Sequence, residues 1–352
     1  MVDKQFWANK RVYLTGHTGF KGSWLSLWLS RVGAEVKGYA LEPATIPSLF
    51  EEAKVADKIQ SEIGDIRNLD QLQASMTEFN PDILIHMAAQ PLVRLSYKEP
   101  IETYETNVMG TVKVLEAARC CPNLKSIVSV TTDKCYENKE WLWGYREDEA
   151  MGGYDPYSSS KGCAELVTSA YRRSFMQEKG MGLATARAGN VIGGGDWSEE
   201  RLIPDILKAF EKEQAVIIRN PKSIRPWQHV IEPLYGYLIL AEKQYKNKLI
   251  NHNTYWNFGP KKIDIVTVSK VADMFCKAWG DNLSWYGDSR PSYHEAHNLS
   301  LDITKAKKIL DWSPKWSLSN AIDKTVEWHK AQMSGKNMLD MSVNQIKEFL
   351  KE

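Results

Sequence analysis

The sequence predicts an α/β fold of the Rossmann type, a doubly wound parallel sheet with a smaller C-terminal α/β substrate domain. Two observations carry that expectation. Short apolar strands alternate with helical stretches through the first half of the chain, the pattern of parallel strands joined by crossover helices. A glycine-rich turn, Thr15-Gly16-His17-Thr18-Gly19-Phe20-Lys21-Gly22, falls between the first such strand and the first such helix, where a dinucleotide-binding fold requires one.

The first strand is Arg11–Leu14, and the helix after the turn carries Trp24, Leu25, Leu27, Trp28 and Leu29 ahead of Gly33. Val36–Leu41 reads as the second strand, and a third should precede Gly64-Asp65-Ile66. Later strands fall at Ile83–Met87, Ile127–Val130 and Leu183–Ala186, with helical stretches around 68–79, 101–119 and 158–178. A sheet built this way holds its ligand at the strand C-terminal ends. From about Asn190 the text changes to Gly193-Gly194-Gly195, frequent tryptophans and polar loops around 219–230 and 284–298. Residues 1–189 are therefore expected to form the cofactor domain with the reacting residues. Residues 190–352 are expected to be mainly substrate-binding, with some segments returning to the first domain.

Composition narrows the function classes. The chain has 352 residues, 43% hydrophobic, enough for one large or two associated domains. Its net charge of +1 is spread along the chain, so no basic stripe argues for nucleic acid. No apolar run approaches the roughly 18 residues of a membrane span, and the start lacks a signal-peptide core. The five cysteines include no CxxC pair and leave an odd one over, as reduced thiols in a cytoplasmic protein would. No His/Cys/Asp/Glu grouping has metal-ligand spacing, so no metal is expected.

Three glycines at i, i+3 and i+6 let the backbone turn tightly and approach a pyrophosphate at a helix N-terminus. The spacing is GxxGxxG, not the more general GxGxxG. His17 inside this turn is a candidate contact for the pyrophosphate. A ribose-binding acid is expected roughly 20 residues on, where the chain reads Ala40-Leu41-Glu42-Pro43. No arginine stands there to hold a 2′-phosphate, which favours NAD. Asp65 is placed to accept from an adenine amino group.

Farther along stand Thr131-Thr132-Asp133-Lys134 and Tyr157-Ser158-Ser159-Ser160-Lys161. Tyr157 and Lys161 share a helix face at i and i+4. An ammonium there can depress the phenol pKa and make it a base near neutral pH.

With the glycine turn, Gly64-Asp65-Ile66, His86-Met87-Ala88-Ala89-Gln90, Asn107 and Tyr157–Lys161 in this order, the chain resembles the extended short-chain dehydrogenase/reductase family. The likeness runs to Leu310-Asp311-Trp312-Ser313-Pro314. Within that family it resembles the nucleotide-sugar 4,6-dehydratases, and Thr132–Asn138, Trp141–Glu147 and Gly152–Tyr157 look like the branch acting on CDP-glucose. Most relatives carry a glutamate where this chain has Lys134, whereas Asp-Lys is the expected pair in that branch.

The resemblance implies an NAD enzyme. The turn residues Gly16, His17, Gly19, Phe20, Lys21 and Gly22 would bind the cofactor, with Asp65, Ile66, Ala88, Ala89, Gln90, Asn107, Tyr157 and Lys161. Dehydration across C5–C6 of a hexose is hard because the C5 proton is not acidic. Oxidation at C4 places it alpha to a carbonyl, so the enzyme needs a C4 oxidant, a C5 base and an acid for O6. Tyr157 would be the C4 base, with Lys161 lowering its pKa and holding the nicotinamide ribose. Thr132 would hydrogen-bond the C4 oxygen or shape a proton relay. Asp133 would protonate O6, which requires desolvation to keep it protonated. Lys134 would serve the C5 step, as a base or as a cation stabilising the enolate. NAD would end each cycle as it began.

Substrate contacts implied by the resemblance are Arg94 and Ser96 beside the sugar, with Asn190, Arg201, Arg225 and Arg290 farther on. Arginine suits a diphosphate through paired, charge-assisted hydrogen bonds. The segment 138–153 reads either as a lid or as a plain surface loop. The family likeness also implies pairing through helices near 101–119 and 158–178, as a homodimer or homotetramer. It further implies a place in deoxysugar synthesis for a surface polysaccharide such as O-antigen. A nucleotide-sugar 4-epimerase would need Tyr157, Lys161 and NAD but no Asp-Lys pair. A dinucleotide sensor would need no tyrosine base.

Overall fold

In the computed structural model, which describes residues 2–247, 249, 255–280, 283–288 and 298–352, seven parallel strands form the central sheet. They are β1 (Arg11–Thr15), β2 (Glu35–Ala40), β3 (Gln60–Ile63), β4 (Ile83–His86), β5 (Ser126–Val130), β6 (Gly182–Ala188) and, much later in the chain, Tyr255–Phe258. Three short strand pairs lie outside the sheet. They join β7 (Val191–Ile192) to β10 (Gln228–His229), β8 (Val216–Ile218) to Trp285–Gly287, and β9 (Ile224–Pro226) to Ile265–Thr267. In chain order Tyr255–Phe258 is then β11, Ile265–Thr267 β12 and Trp285–Gly287 β13. The sheet order is β11-β6-β5-β4-β1-β2-β3. Strand order reverses between β1 and β4, which opens a crevice at their C-terminal ends; Thr15 and His86 face each other there.

Both sheet faces are covered over β1, β4, β5 and β6, so these strands are apolar on both sides, whereas the edge strand β3 is largely exposed. On β1, Val12 and Leu14 enter one core with Trp24, Trp28 and Leu234. Tyr13, pointing the other way, joins Leu72, Met76, Val114 and Leu183. This alternation follows from the two-residue repeat of a strand. The first face carries helices Phe20–Arg31, Ile231–Tyr245 and Met338–Leu350; the second carries Leu69–Phe79, Gly110–Ala118 and Pro156–Tyr171. The expected helix near 101–119 is divided: Pro100–Tyr104, a wider π-type turn Glu105–Met109, then Gly110–Ala118. Such turns shift the register of one side chain, here Asn107.

A third core, built around Ile206, Phe210, Val216, Trp227, Phe275 and Ile322, belongs to helices Leu202–Phe210, Val268–Trp279 and Leu318–Met333 with the short strand pairs. The chain after Asn190 is thus shared between two places. β11 pairs with β6 from Tyr255↔Thr185 to Phe258↔Ala188 and completes the large sheet. No described helix is long and apolar enough to cross a membrane.

Candidate active site

A cavity of about 580 Å³ opens where β1, β4, β5 and β6 end. The glycine turn forms one wall. Gly16 has φ of +80°, and a Cβ there would lie 2.7 Å from Ala88 N; only glycine adopts that backbone without strain while allowing so close an approach. A Cβ on Gly22 would overlap Gly16 O. Gly19 caps helix Phe20–Arg31 without any side-chain hydrogen bond, and Gly19, Phe20, Lys21 and Gly22 line the cavity. First-turn N–H groups at a bare helix N-terminus are the donors a pyrophosphate needs, so the turn fits a dinucleotide.

Farther along this wall, Ile66, Ala88 and Ala89 line the cavity together with Ala40, Glu42, Asp65 and Arg67. Arg67 donates to Asp65 from Nε at 2.9 Å and Nη2 at 2.6 Å, and to Glu102 at 2.5 Å. Its hydrogen bond holds the Asp65 carboxyl below the usual range. The motif reading overlooked Arg67, although an arginine two residues past a turn aspartate is the signal for such a pair.

Three expected cofactor contacts point elsewhere. His17 is fully buried, its Nε2 2.8 Å from Ser61 Oγ and its ring packed at 5.4 Å on Phe50. It fills the space over Gly38, where a Cβ would strike the ring, and burial lowers its pKa to about 4. Gln90 donates to Leu92 O and to Thr103 Oγ1 at 2.9 Å, and its side chain is absent from the cavity wall. Asn107 lies behind the wall, accepting from Gln90 N at 2.8 Å and donating to Ser160 Oγ at 2.9 Å. It ties the loop after β4 to the helix carrying Tyr157.

The residues expected to react stand together. Thr132, Asp133, Lys134, Tyr157 and Lys161 all line the cavity. Asp155 caps helix Pro156–Tyr171 through Ser158 N and places Tyr157 in its first turn. Thr132 donates to Asp133 Oδ1 at 3.0 Å, while the buried Asp133 Oδ2 has no hydrogen-bond partner. Gly189 leaves room for that oxygen, since a Cβ there would lie 2.9 Å from it. Burial raises the Asp133 pKa, against the opposing pull of Lys134, Thr132 and Arg225, so the direction is the one a general acid requires.

Tyr157 departs from expectation. Burial pushes its pKa up to about 12, and the Thr132 hydroxyl and the Arg201 guanidinium pull it back only in part. Lys161, itself lowered to about 8 by burial, is not among the groups that lower it. The low dielectric that would strengthen the lysine's influence also penalises the phenolate, and the penalty is larger.

Of the expected substrate contacts, Arg94, Asn190, Arg201 and Arg225 line the cavity. Arg94 pairs with Glu200 at 3.5 Å and Arg201 with Asp196 at 3.3 Å; Arg225 donates to Ile224 O at 2.9 Å. Ser96 does not face the cavity. It is fully buried and its hydroxyl accepts from Tyr157 N at 3.1 Å, so it supports the tyrosine's backbone. Arg290 lies outside the described residues. Asp205 and Arg219, which no motif indicated, also line the wall. Segment 138–153 contributes nothing to it. That segment packs beside Asn298–Asp302 through Tyr145 N to Ser300 O and Asn138 Nδ2 to Asn298 O. Among the described residues no group of His, Cys, Asp and Glu is arranged to hold a metal.

Comparison with known proteins agrees with this geometry. A family model described as GDP-mannose 4,6 dehydratase matches residues 14–325. The CDP-glucose 4,6-dehydratase of Salmonella typhimurium strain LT2 is 56% identical over 355 residues, covering 99% of each chain. The crystal structure of a dTDP-glucose 4,6-dehydratase from Streptomyces venezuelae with NAD bound superposes with a TM-score of 0.79 at 21% identity, over 94% of this chain and 99% of that one. A UDP-glucuronic acid 4-epimerase from Bacillus cereus, in complex with UDP-glucuronic acid and NAD, gives 0.78 at 22% identity over 92% and 99%. These two structures establish the fold alone, because dehydratase and epimerase share it. The 56% relative and the length of the family match go further: the chain belongs to the GDP-mannose 4,6 dehydratase family, within the nucleotide-sugar 4,6-dehydratases of the extended short-chain dehydrogenase/reductases.

Proposed function

We propose that this protein is an NAD-dependent dehydratase converting CDP-glucose to CDP-4-dehydro-6-deoxy-glucose and water. The observation that carries the reading is Asp133: a fully buried carboxyl with one unpartnered oxygen, in the same cavity as Tyr157 and Lys161. A 4-epimerase has no use for an acid there. NAD, which the glycine turn and Lys161 would hold, would supply the acceptor for the C4 hydride and its donor to C6, and its oxidised ring would add positive charge that favours the Tyr157 phenolate. Tyr157 takes the C4 hydroxyl proton, with Thr132 sharing the hydrogen bond. Lys134 serves the C5 step, as base or as cation beside the enolate. Asp133 gives its proton to O6 as water leaves, and burial keeps that proton in place beforehand. Lys161, charged below about pH 8, holds the nicotinamide ribose. Arg201 and Arg225 take the diphosphate, with Asn190 beside them, Arg94 beside the sugar and Arg290 as a further contact.

In this reading residues 1–189 hold the cofactor and the reacting groups, and residues 190–352 mainly hold the nucleotide sugar. Exposed Ile101, Tyr104, Met109 and Leu166 on the two paired helix segments support a homodimer, or a homotetramer built from it. Five free cysteines suit the cytoplasm, and the product suits deoxysugar synthesis for an O-antigen. The test is to supply purified protein and NAD with CDP-, dTDP-, UDP- and GDP-glucose separately and follow the alkaline absorbance of 4-keto-6-deoxy sugars. A signal with CDP-glucose is expected. Interconversion of gluco and galacto sugars without a keto product would make the protein an epimerase.

A further inference from the structure

Leu202, Pro204, Ile217, Ile218 and Val268 give the cavity an apolar stretch of wall. Apolar walls of this kind suit the two faces of a flat ring, whose edge must then meet polar groups. Asp205 and Arg219 line the same stretch of wall. Asp205 is in the first turn of helix Leu202–Phe210, and Arg219 directly follows β8. Arg219 Nη2 lies 3.5 Å from Asp205 Oδ2 and donates to Glu200 O at 3.2 Å. That carbonyl orients the guanidinium. Both side chains keep an open side, 40% exposed for Asp205 and 28% for Arg219.

The pair shares its cavity with the arginines and with Tyr157. Arg201 acts on Tyr157 and Arg225 on Asp133, so these two arginines stand next to the reacting groups. Glu200 links the pair to this arginine wall, pairing with Arg94 at 3.5 Å and accepting from Arg219 at 3.2 Å through its carbonyl. A nucleotide sugar with its hexose at Tyr157 and its diphosphate on the arginines therefore brings its base toward Asp205 and Arg219.

The pair offers an acceptor beside a donor. Cytosine presents an exocyclic amine next to ring N3 and O2, a donor followed by two acceptors. Uracil and thymine present a carbonyl where the amine stands, and an N–H at N3. An ionised carboxylate accepts from the amine and repels the carbonyl, while a guanidinium donates to N3 and O2. We propose that Asp205 and Arg219 read the edge of the substrate's base, Asp205 accepting from the cytosine amine and Arg219 donating to the ring acceptors. This pair then selects cytidine over uridine and thymidine nucleotides. The proposal rests on the CDP-sugar reading and assigns the residues that enforce it.

Calorimetric titration of the NAD-loaded protein with CDP, UDP and dTDP tests it without relying on turnover. The wild-type protein should bind CDP roughly 10- to 100-fold more tightly than UDP, the discrimination of a paired edge contact. Asp205→Asn, whose amide both donates and accepts, should bring that ratio within about threefold while NAD affinity stays unchanged. Arg219→Gln should weaken CDP and narrow the ratio, whereas Lys208→Ala on the same helix should leave it intact. A wild-type preference that survives in both Asp205→Asn and Arg219→Gln overturns the assignment of these residues alone. A wild-type protein that binds UDP or dTDP as tightly as CDP overturns the CDP-sugar reading and this proposal with it.

Discussion

The Asp133 carboxyl is buried, with one oxygen unpartnered. Its raised pKa means that the folded protein holds a proton which the unfolded chain releases at lower pH. Stability from this group is therefore present at low pH and is lost as pH rises from the ordinary carboxylate value through the folded one. Asp133→Asn should accordingly melt higher than wild type at neutral pH, with a gap that closes toward pH 4, as differential scanning calorimetry across pH would show. The same variant should form NADH from CDP-glucose in a single-turnover absorbance trace yet lose dehydration roughly 10²- to 10⁴-fold, the usual share of a general acid. Tyr157→Phe should lose even the NADH transient, with turnover down by a similar factor and NAD binding nearly unchanged in a fluorescence titration. An intact transient in that variant would remove Tyr157 from the C4 step.

At the scale of elements, β6 and the loop after β5 are both joined to the helix carrying Tyr157 at one buried carboxylate, Glu165. Arg187 on β6 donates to Glu165 from Nε and Nη2, both at 2.8 Å; Thr131 and Thr185 donate to the same carboxylate at 2.5 and 2.7 Å. Glu165 is one helical turn beyond Lys161 and Thr131 directly precedes Thr132. Both side chains of the Arg187–Glu165 ion pair are 1% exposed, so removing one strands the other. Glu165→Ala should cost about 3–5 kcal/mol in urea unfolding. Burial lowers the Lys161 pKa and Glu165 raises it. In Glu165→Gln the lysine should therefore lose its proton at lower pH, and the alkaline limb of kcat should move from near pH 8 toward neutrality. An unmoved limb would mean that Lys161 does not set it.

For the whole molecule, the helical segments Pro100–Ala118 and Pro156–Tyr171 leave apolar side chains facing outward: Ile101 is 79% exposed and Leu166 62%. Scattered exposed leucines are ordinary, but these two lie on neighbouring helices behind the active site. A two-fold axis would bring each patch onto its own copy. Leu166→Arg combined with Ile101→Arg should convert the proposed homodimer to a monomer by size-exclusion light scattering while leaving the thermal transition cooperative. Unchanged mass would place the interface on another surface.

Much of this architecture was legible along the chain. Strand and helix periodicity located five of the seven sheet strands, because buried parallel strands are continuous apolar runs and the helices between them carry one apolar stripe; β3, polar and largely exposed, was placed only by the Gly64-Asp65-Ile66 turn that follows it. The glycine turn, the Tyr157–Lys161 spacing and the Thr132–Lys134 run were legible for the same local reason: each works through neighbours within one turn or one strand end. β11 was hidden, since Tyr255–Phe258 is four residues long and pairs with β6 from far along the chain. Side-chain direction was hidden too. His17 turns inward because Ser61 and the bare Gly38 receive it, Asn107 because a π-type turn aims it at Ser160, and Ser96 because Tyr157 N needs an acceptor. The sequence alone determined the fold class, the family and the chemical groups present. Tertiary structure alone decided which of those groups face the cavity and how burial sets their protons, because both depend on partners brought together only by packing.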